Sequence, residues 1–600
     1  METRIIMKLT DFNGRMLGQL TDLNPVFDKQ RVDKECADYI LKTAQEDSPF
    51  SYPTLTATDW LSFTRTGNRA DFEKKYFSRR KILGNFILAE LIDGKGVFLD
   101  DILNGLASIS TEVAWQLPAH NSYLRDTVQL ALPDPSRPIL DIFACETGAL
   151  LSLGIFLLQD QLNAMSPFLA KNIQDLLDFR IVQPYLGQHF WWMGEGDEKM
   201  CNWTPWCTQN ILLSVFLLPT SQKTRHQVVS KALYSLDCFL KDYGEDGCCD
   251  EGAQYYHHAG LALFACLDVL NKVSRGQMKE AYEDTKIRNI AQYIMNMHVK
   301  DRYYLNFSDC SPFASLAGVK EFCVGKAISD PLLMAFAHEQ WELSSLQEKV
   351  LKEEINLAYR LLSLLCSKEI DSCTIPYKPN GDIFYKSVGI LVSRDNNFTL
   401  AVKGGGNNDN HNHNDTGSLI LYCKGQPMLI DIGVETYTRK TFSADRYEIW
   451  TMRSLYHNVV NFPSKEQKAG PSYQSSEVKV SLGDKSCSIS MQLAKAYEQV
   501  DSYERVVIHH KNHSIEVLDT TSERGTLTVM TQLKPMIKGN SMTIGNLGRI
   551  TFKNASKIKE EPIEITDPRL LATWNSPVYR VLVDFIDRLQ WSITPLREQI

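Results

Sequence analysis

The sequence predicts a multidomain α+β fold in which a helical half precedes an antiparallel β half. Three observations carry this. Six hundred residues exceed what one compact core holds, so two or more domains are needed. Apolar residues recur at helical spacing over roughly the first 370 residues. From about Asp382 onward the period changes to two.

The helical half shows its pattern in TRHQVVSKALYSLDCFLKDYG, Thr224–Gly244, with apolar residues near i, i+3, i+4 and i+7 and a terminal glycine as stop signal. Ala259–Gly276, Phe72–Leu91, Pro138–Leu158 and Glu348–Leu365 repeat it. Many helices joined by short loops imply stacked hairpins, in a solenoid or a closed toroid. Without a strict repeat of fixed length, the toroid is favoured. In the β half, FYKSVGILVSRD, NFTLAVKGG, GSLILYCKGQPMLIDIG, EVKVSLGDKSCSISMQLA, RVVIHHKNHSIEVLDTT and GTLTVMTQL are short β-branched or alternating runs. Turn-formers at Asp395–Asn397, Lys424–Gly425, Gly483–Asp484 and Lys511–Asn512 separate them, as in a sandwich of antiparallel sheets. The boundary falls in the Pro- and Gly-bearing stretch Ser372–Asp382, which divides the chain into domains 1–375 and 376–600.

The bulk numbers exclude several classes. A hydrophobic share of 44% and a charged share of 23% are those of a soluble globular protein. The net charge of −8 argues against a general nucleic-acid binder, yet leaves room for a local basic cleft facing an acidic substrate. The most apolar run, Ala149–Leu158, is about half the ~20 residues a membrane span needs, so no membrane partner is expected. The opening METRIIMKLTDFNGRML has neither an apolar core nor a small-residue cleavage site. A cytoplasmic protein is expected; the alternative is a periplasmic or secreted one whose signal peptide has been removed. Fourteen cysteines without paired spacing, two of them adjacent at Cys248–Cys249, read as reduced thiols.

Three segments concentrate chemistry. In GGGNNDNHNHNDTGSL, Gly404–Leu419, His411 and His413 are two apart, and would share a face if the segment were extended. A hairpin turning at Lys424–Gly425 would return Asp431 near His413, and His457 follows in SLYHNVVNF. Two imidazoles and a carboxylate make a three-ligand zinc set with a fourth position open; the alternative is a solvated polar loop. Manganese and calcium suit two imidazoles less well. In DYGEDGCCDEGAQYYHHAG, Asp242–Gly260, five acids and three tyrosines sit between amphipathic helices. It reads either as a functional loop, or as buried Tyr255 and Tyr256 starting a helix whose N-terminus the acids favour. In His189–Asn210, Trp191, Trp192, Trp203 and Trp206 lie within sixteen residues, beside Asn202, Thr204, Gln209 and Asn210. Each tryptophan alone reads as core; the group reads as the wall of a sugar-binding cleft.

Together these segments resemble the heparinase II/III-like polysaccharide lyases. HNHNDTGSLILYCKGQPMLIDIGVETYTRKTFSADRYEIWTMRSLYHNVV looks like that family's signature, and CNWTPWC and DEGAQYY look like its helical-domain segments. The resemblance implies an N-terminal incomplete (α/α) toroid followed by a C-terminal antiparallel β-sandwich, with an active site in the cleft between them. It implies that His413, Asp431 and His457 hold a structural zinc and that His411 faces substrate. The glycines would bring the backbone close into the cleft, and the asparagines would satisfy loop groups or sugar hydroxyls.

Such lyases remove the proton α to a uronate carboxylate and expel the 4-oxygen. The carboxylate must be neutralised, a base must take the proton and an acid must protonate the leaving oxygen. By resemblance, Asn202 serves the carboxylate, Tyr255 is the general acid/base and His411 its partner. Where several related lyases carry a histidine after the asparagine, Trp203 stands here, which bears on the uronate epimer accepted. His257 and His258 are further candidates, set too far along the chain. Trp192, Trp203, Trp206, Tyr437, Arg446 and Tyr447 are expected to line substrate; Arg446 either grips a sulfate or carboxylate, or ties its loop to an acid. The expected partner is an acidic polysaccharide or oligosaccharide, glycosaminoglycan first and alginate second. Two other readings share the fold: a glycoside hydrolase drawing on Asp250, Glu251 and Glu146, and a non-catalytic carbohydrate-binding protein. Oligomeric state is not legible in the sequence.

Overall fold

The computed structural model describes residues 16–20, 27–125, 127–195, 197–314 and 316–596. The N-terminal stretch considered above for a leader lies, up to residue 15, outside the described residues. The chain divides into two compact units. One comprises Met1–Tyr243, His257–Ala291 and Leu316–Lys378; the other comprises Gly244–Tyr256, Gln292–Ser315 and Pro379–Ile600. Two short stretches from among the helices therefore group with the β region, and they carry Glu251, Tyr255 and Asp309 with them.

The helical unit is built on six inner helices: α1 (Ala70–Asp93), α2 (Ile142–Leu157), α3 (Trp203–Leu217), α4 (Gly260–Val273), α5 (Val319–Ala327) and α6 (Leu357–Asp371). Each packs on the next, and α6 returns to α2. Arg360 of α6 also donates to Lys81 O and Asn85 Oδ1 of α1, each at 3.2 Å. That ring is the expected toroid. Its helices start where side chains satisfy exposed backbone donors. Asp141 accepts from Ala144 N at 2.6 Å at the start of α2, and Ser221 accepts from Thr224 N at 3.1 Å to open the outer helix Gln222–Asp242. α2 is buried almost all round because it is apolar on every face. The helix expected over Glu348–Leu365 is broken. Leu346–Lys349 is a separate turn, and Asn356 caps α6 afresh by accepting from Ala358 N and Tyr359 N. The first turn ends at Lys349, and a capping asparagine inside the apolar periodic run starts the second helix.

The β unit contains an eight-stranded, a five-stranded and a four-stranded sheet, with antiparallel pairing throughout. Leu400 and Leu421 from the five-stranded sheet, Val517 and Trp591 from the eight-stranded one, and Val529 and Val581 from the four-stranded one share a single core. This is sandwich packing, with side chains of facing sheets interdigitating. Strands β1 (Ile390–Arg394), β2 (Phe398–Lys403), β3 (Leu419–Cys423) and β4 (Gln426–Leu429) follow the expected runs. The β3–β4 hairpin turns at Lys424–Gly425, with φ of 50° and 82°, the left-handed pair a two-residue hairpin requires. It delivers Asp431 just past β4.

Candidate active site and metal centre

The histidine segment is not a strand. It is an irregular loop between β2 and β3, and His411 has a left-handed φ of 54°. Its shape comes from side chains that replace a missing ladder. Asn407 Oδ1 accepts from Thr416 Oγ1 at 2.7 Å and from the N–H groups of Asp415 and Thr416, while Asn407 Nδ2 donates to Gln467 Oε1 at 2.9 Å. Asn414 Nδ2 donates to Gln467 O, and buried Lys403 pairs with Asp415 at 2.7 Å. The asparagines thus satisfy loop groups, as expected. The glycines meet backbone closely. A Cβ on Gly405 would lie 2.2 Å from Val388 O, and one on Gly389 would lie 2.5 Å from Gly405 N. They allow the turn before β1 and the start of the histidine loop to touch.

Both histidine rings nonetheless reach one carboxylate, that of fully buried Asp309. Asp309 Oδ2 lies 2.9 Å from His411 Nδ1, and Asp309 Oδ1 lies 3.0 Å from His413 Nε2. Arg446 Nη2 donates to Oδ1 at 2.6 Å, and Tyr437 OH donates to Oδ2 at 3.1 Å. Burial alone would raise the pKa of Asp309; the bonds from His411 and His413 outweigh it and hold the carboxyl well below the usual carboxylate range. The other face of His411 carries Tyr255, ring on ring at 4.3 Å, with the two planes 25° apart. Tyr255 OH shares a 2.5 Å hydrogen bond with Tyr437 OH, and His411 Nε2 is 3.4 Å from Glu251 Oε2. Burial, with Tyr437, Asp309 and Glu251 close by, pushes the Tyr255 phenol well above 10. The phenol therefore keeps its proton at neutral pH.

Of the two readings of the acidic segment, the helix-start reading holds only in part. Tyr255 begins only a short 3-10 turn, Tyr255–His257, and is not engulfed; Tyr256 is. The acids do not cap α4, whose N-cap is Ala259 with no side-chain bond. Asp250 instead receives Asn410 Nδ2 at 3.0 Å, and Glu251 faces His411. Arg446 resolves toward the structural alternative: besides Asp309 it donates to Asn412 O and Thr441 O. Tyr447 OH accepts from Asn412 Nδ2 at 3.1 Å.

His413, Asp431 and His457 converge in the same unit, each buried, with one ligand atom apiece within 4.8 Å of the others. His457 Nδ1 is 2.9 Å from Asp431 Oδ2, and Gly433 N donates to Asp431 Oδ1 at 2.9 Å. His413 Nδ1 and His457 Nε2 are buried and have no hydrogen-bond partner. Two orphaned imidazole nitrogens beside a carboxylate are the donor set a bound cation would satisfy.

The remaining expected residues belong to the helical unit. Asn202 is the N-cap of α3, and its side chain makes no capping bond there. Trp203 is partly exposed, edge-on to His120 at 4.8 Å and tilted on Trp191 at 5.1 Å. Trp206 stacks on His258 at 4.0 Å. Burial pushes His258 down to about 3. Trp192 is a correction: it is 1% exposed, stacks on Tyr185 and Phe190, and spends its N–H on Leu140 O at 2.8 Å. It is a core tryptophan. His257 pairs with Glu321, and Glu146 is buried against Asn356, its carboxyl pushed up to about 8 by burial and by nearby Glu354.

Sequence reasoning missed Asp309 and Arg569. Arg569 lies over the Tyr437 ring at 4.7 Å and donates to Asp309 O at 3.1 Å. The only local signal for Asp309 was a small polar run, Asn306-Phe307-Ser308-Asp309, set between apolar residues.

Comparison with known proteins agrees with this architecture. Residues 378–566 match the model of the heparinase II/III-like C-terminal domain. Over those residues the β region is similar to the heparinase II/III-like C-terminal domain. The metal triad, His411, Tyr437 and Arg446 all fall within its matched residues, whereas Glu251, Tyr255, Asp309 and Arg569 lie outside them. The full chain is similar in structure to a heparinase III, with a TM-score of 0.59 and 14% identity over 98% of this chain and 87% of the other. It is similar to a mutant of the heparan sulfate lyase HepC of Pedobacter heparinus, with a TM-score of 0.59 and 13% identity over 99% and 88%. It is also similar to the chondroitin AC lyase of Streptomyces coelicolor A3, with a TM-score of 0.52 and 11% identity over 94% and 83%. At such identities the likeness is one of fold. No curated protein matches the chain in sequence.

Proposed function

We propose that the chain is a polysaccharide lyase that cleaves uronate-containing glycans, glycosaminoglycans first, by β-elimination. The observation that carries this is the stack of a protonated phenol, Tyr255, on an imidazole, His411, within a heparinase II/III-like unit. His411, partly exposed, takes the proton α to the uronate carboxylate. The C–H electrons form the new double bond, the bond to the 4-oxygen breaks, and Tyr255 protonates the departing oxygen. Its high pKa suits the acid step, because the proton stays on oxygen until the leaving group needs it. Asn202 hydrogen-bonds the uronate carboxylate, so that charge can spread onto it in the transition state. Trp203 and Trp206 offer ring faces to sugar.

His413, Asp431 and His457 would hold zinc, preferred for two imidazoles and a carboxylate. When bound, zinc would clamp the histidine loop through His413, two residues from His411. The structural neighbours named for heparan sulfate and chondroitin support a glycosaminoglycan over alginate as the first substrate to try.

The test is short-wavelength ultraviolet absorbance during incubation with heparan sulfate, hyaluronan, chondroitin sulfates and alginate, with zinc present. An unsaturated uronate absorbs there and a hydrolysis product does not. A rise supports elimination and names the polymer. No rise with any of the four, from folded zinc-loaded protein, overturns the reading for these polymers.

A further inference from the structure

Asp309 gathers four side-chain donors on two oxygens: His411, His413, Arg446 and Tyr437. Arg446 alone would balance the charge, which by itself would make Asp309 an ordinary buried ion-pair partner. The choice of the other donors says more. One is the histidine beside Tyr255, and the other is a histidine of the metal cluster.

The geometry points to Asp309 as a positioning residue that sets the proton-bearing nitrogens of His411 and His413 together. An ionised carboxylate only accepts, so each imidazole must donate to it. His411 therefore carries a proton on Nδ1, and when it holds a single proton its lone pair is on Nε2. His413 carries its proton on Nε2, which leaves Nδ1, the orphaned atom, as the lone-pair nitrogen toward Asp431 and His457. A carboxylate that orients a metal-binding imidazole raises its basicity and fixes its ring. Here one carboxylate does this for the metal cluster and for the reacting histidine at once. An asparagine would fit the space but could not do both. Its single oxygen cannot take all the donors, and its NH2 would face an imidazole N–H, forcing one ring to change tautomer or turn away.

The role in turnover rests on the proposed reading of His411; the nitrogen assignments do not. The first measurement is therefore on the wild-type, zinc-loaded chain: 15N NMR of labelled histidines, with His411 and His413 assigned by single substitution. The expected result is His411 protonated on Nδ1, and His413 protonated on Nε2 with Nδ1 metal-bound. Neutral His411 protonated on Nε2 alone would overturn the inference. The second uses Asp309→Asn, checked for native circular dichroism. It should lose zinc affinity ten- to a hundredfold. On whichever polymer the wild type cleaves, kcat should fall at least a hundredfold while KM changes less than threefold. A variant with wild-type zinc affinity and unchanged kcat would sink the proposal. If the wild type cleaves no polymer, the proposed function fails, while nitrogen assignment and zinc titration still decide the role of Asp309.

Discussion

Arg505 and Asp519 face each other across adjacent strands, and the arginine of this pair also holds both loops that carry His413 and His457. Its Nε and Nη2 meet the two Asp519 oxygens at 2.7 and 3.2 Å, while Nη1 donates to Gly417 O at 2.7 Å and Asn458 O at 2.8 Å. Gly417 ends the loop of His413, and Asn458 follows His457. Asp519 takes two more bonds, from Tyr503 OH and Trp591 Nε1. Both charges are fully buried. Arg505→Ala should cost about 3–5 kcal/mol in urea unfolding, because it strands a buried carboxylate and two carbonyls. Asp519→Asn should cost less, since an amide still accepts from the guanidinium. Equal losses for the two variants would contradict this account.

Tyr255→Phe deletes one hydroxyl and keeps the ring on His411. On a cleaved polymer, kcat should fall by roughly 10²–10⁴ with substrate affinity retained. Binding measured by calorimetry and turnover measured by absorbance separate the two. Loss of binding with turnover per bound substrate intact would remove Tyr255 from the chemistry.

Chelation should release about one zinc per chain, if His413, Asp431 and His457 bind it. A ligand at a hundred times its Kd stabilises by about 2.7 kcal/mol, so the melting temperature should drop on chelation and recover on adding zinc. His457→Ala should abolish both the bound metal and the response. Full zinc occupancy in that variant would place the metal elsewhere.

Asp395 makes acid stability informative. Burial would raise its carboxyl, but bonds from His509, at 2.8 Å, and from the N–H groups of Asn512, Phe398 and Asn397 outweigh this and hold it at about 2, against an ordinary 3.8. A depressed folded-state pKa contributes stability that is complete above about 3.8 and is lost as pH falls through about 2. Between those values the unfolded chain binds more protons, so stability rises with pH. Asp395→Asn should lower stability at neutral pH by about 1 kcal/mol after allowance for solvent screening, and should flatten the pH 2–4 part of the curve. Urea midpoints across that window check it; an unchanged slope would count against the bond network.

Two tryptophans one motif apart should behave oppositely. Trp192→Ala empties a filled core site and should cost about 3–5 kcal/mol of stability. Trp203→Ala, partly exposed, should leave the urea midpoint nearly unchanged and weaken oligosaccharide binding by about tenfold. The reverse pattern would show that the wall role was assigned to the wrong ring.

The two halves, most strands and the β3–β4 turn were legible because they depend on local periodicity and on residues that tolerate left-handed backbone. The approach of His413 and Asp431 was legible for a similar reason, whereas His457 joined them through the family resemblance. His413 and Asp431 flank one hairpin, so spacing alone brings them near. The break before α6 was not legible, because Asn356 looks like any polar position until its side chain caps. Trp192 could not be told from Trp203, since burial belongs to the packing of Tyr185 and Phe190 around it and not to its neighbours in sequence.

By itself, the sequence determined the order of helical and β regions and brought His413 and Asp431 to the two ends of one hairpin; Tyr255 and His411 were singled out through the family resemblance. Only the tertiary structure decided that Tyr255, Glu251 and Asp309 leave the helices to join the β unit, and that one carboxylate sits against both histidines. Asp309 is more than a hundred residues from His411, in a segment with no period of its own. Its role is created by burial and by the convergence of four donors, and those are properties of packing in three dimensions.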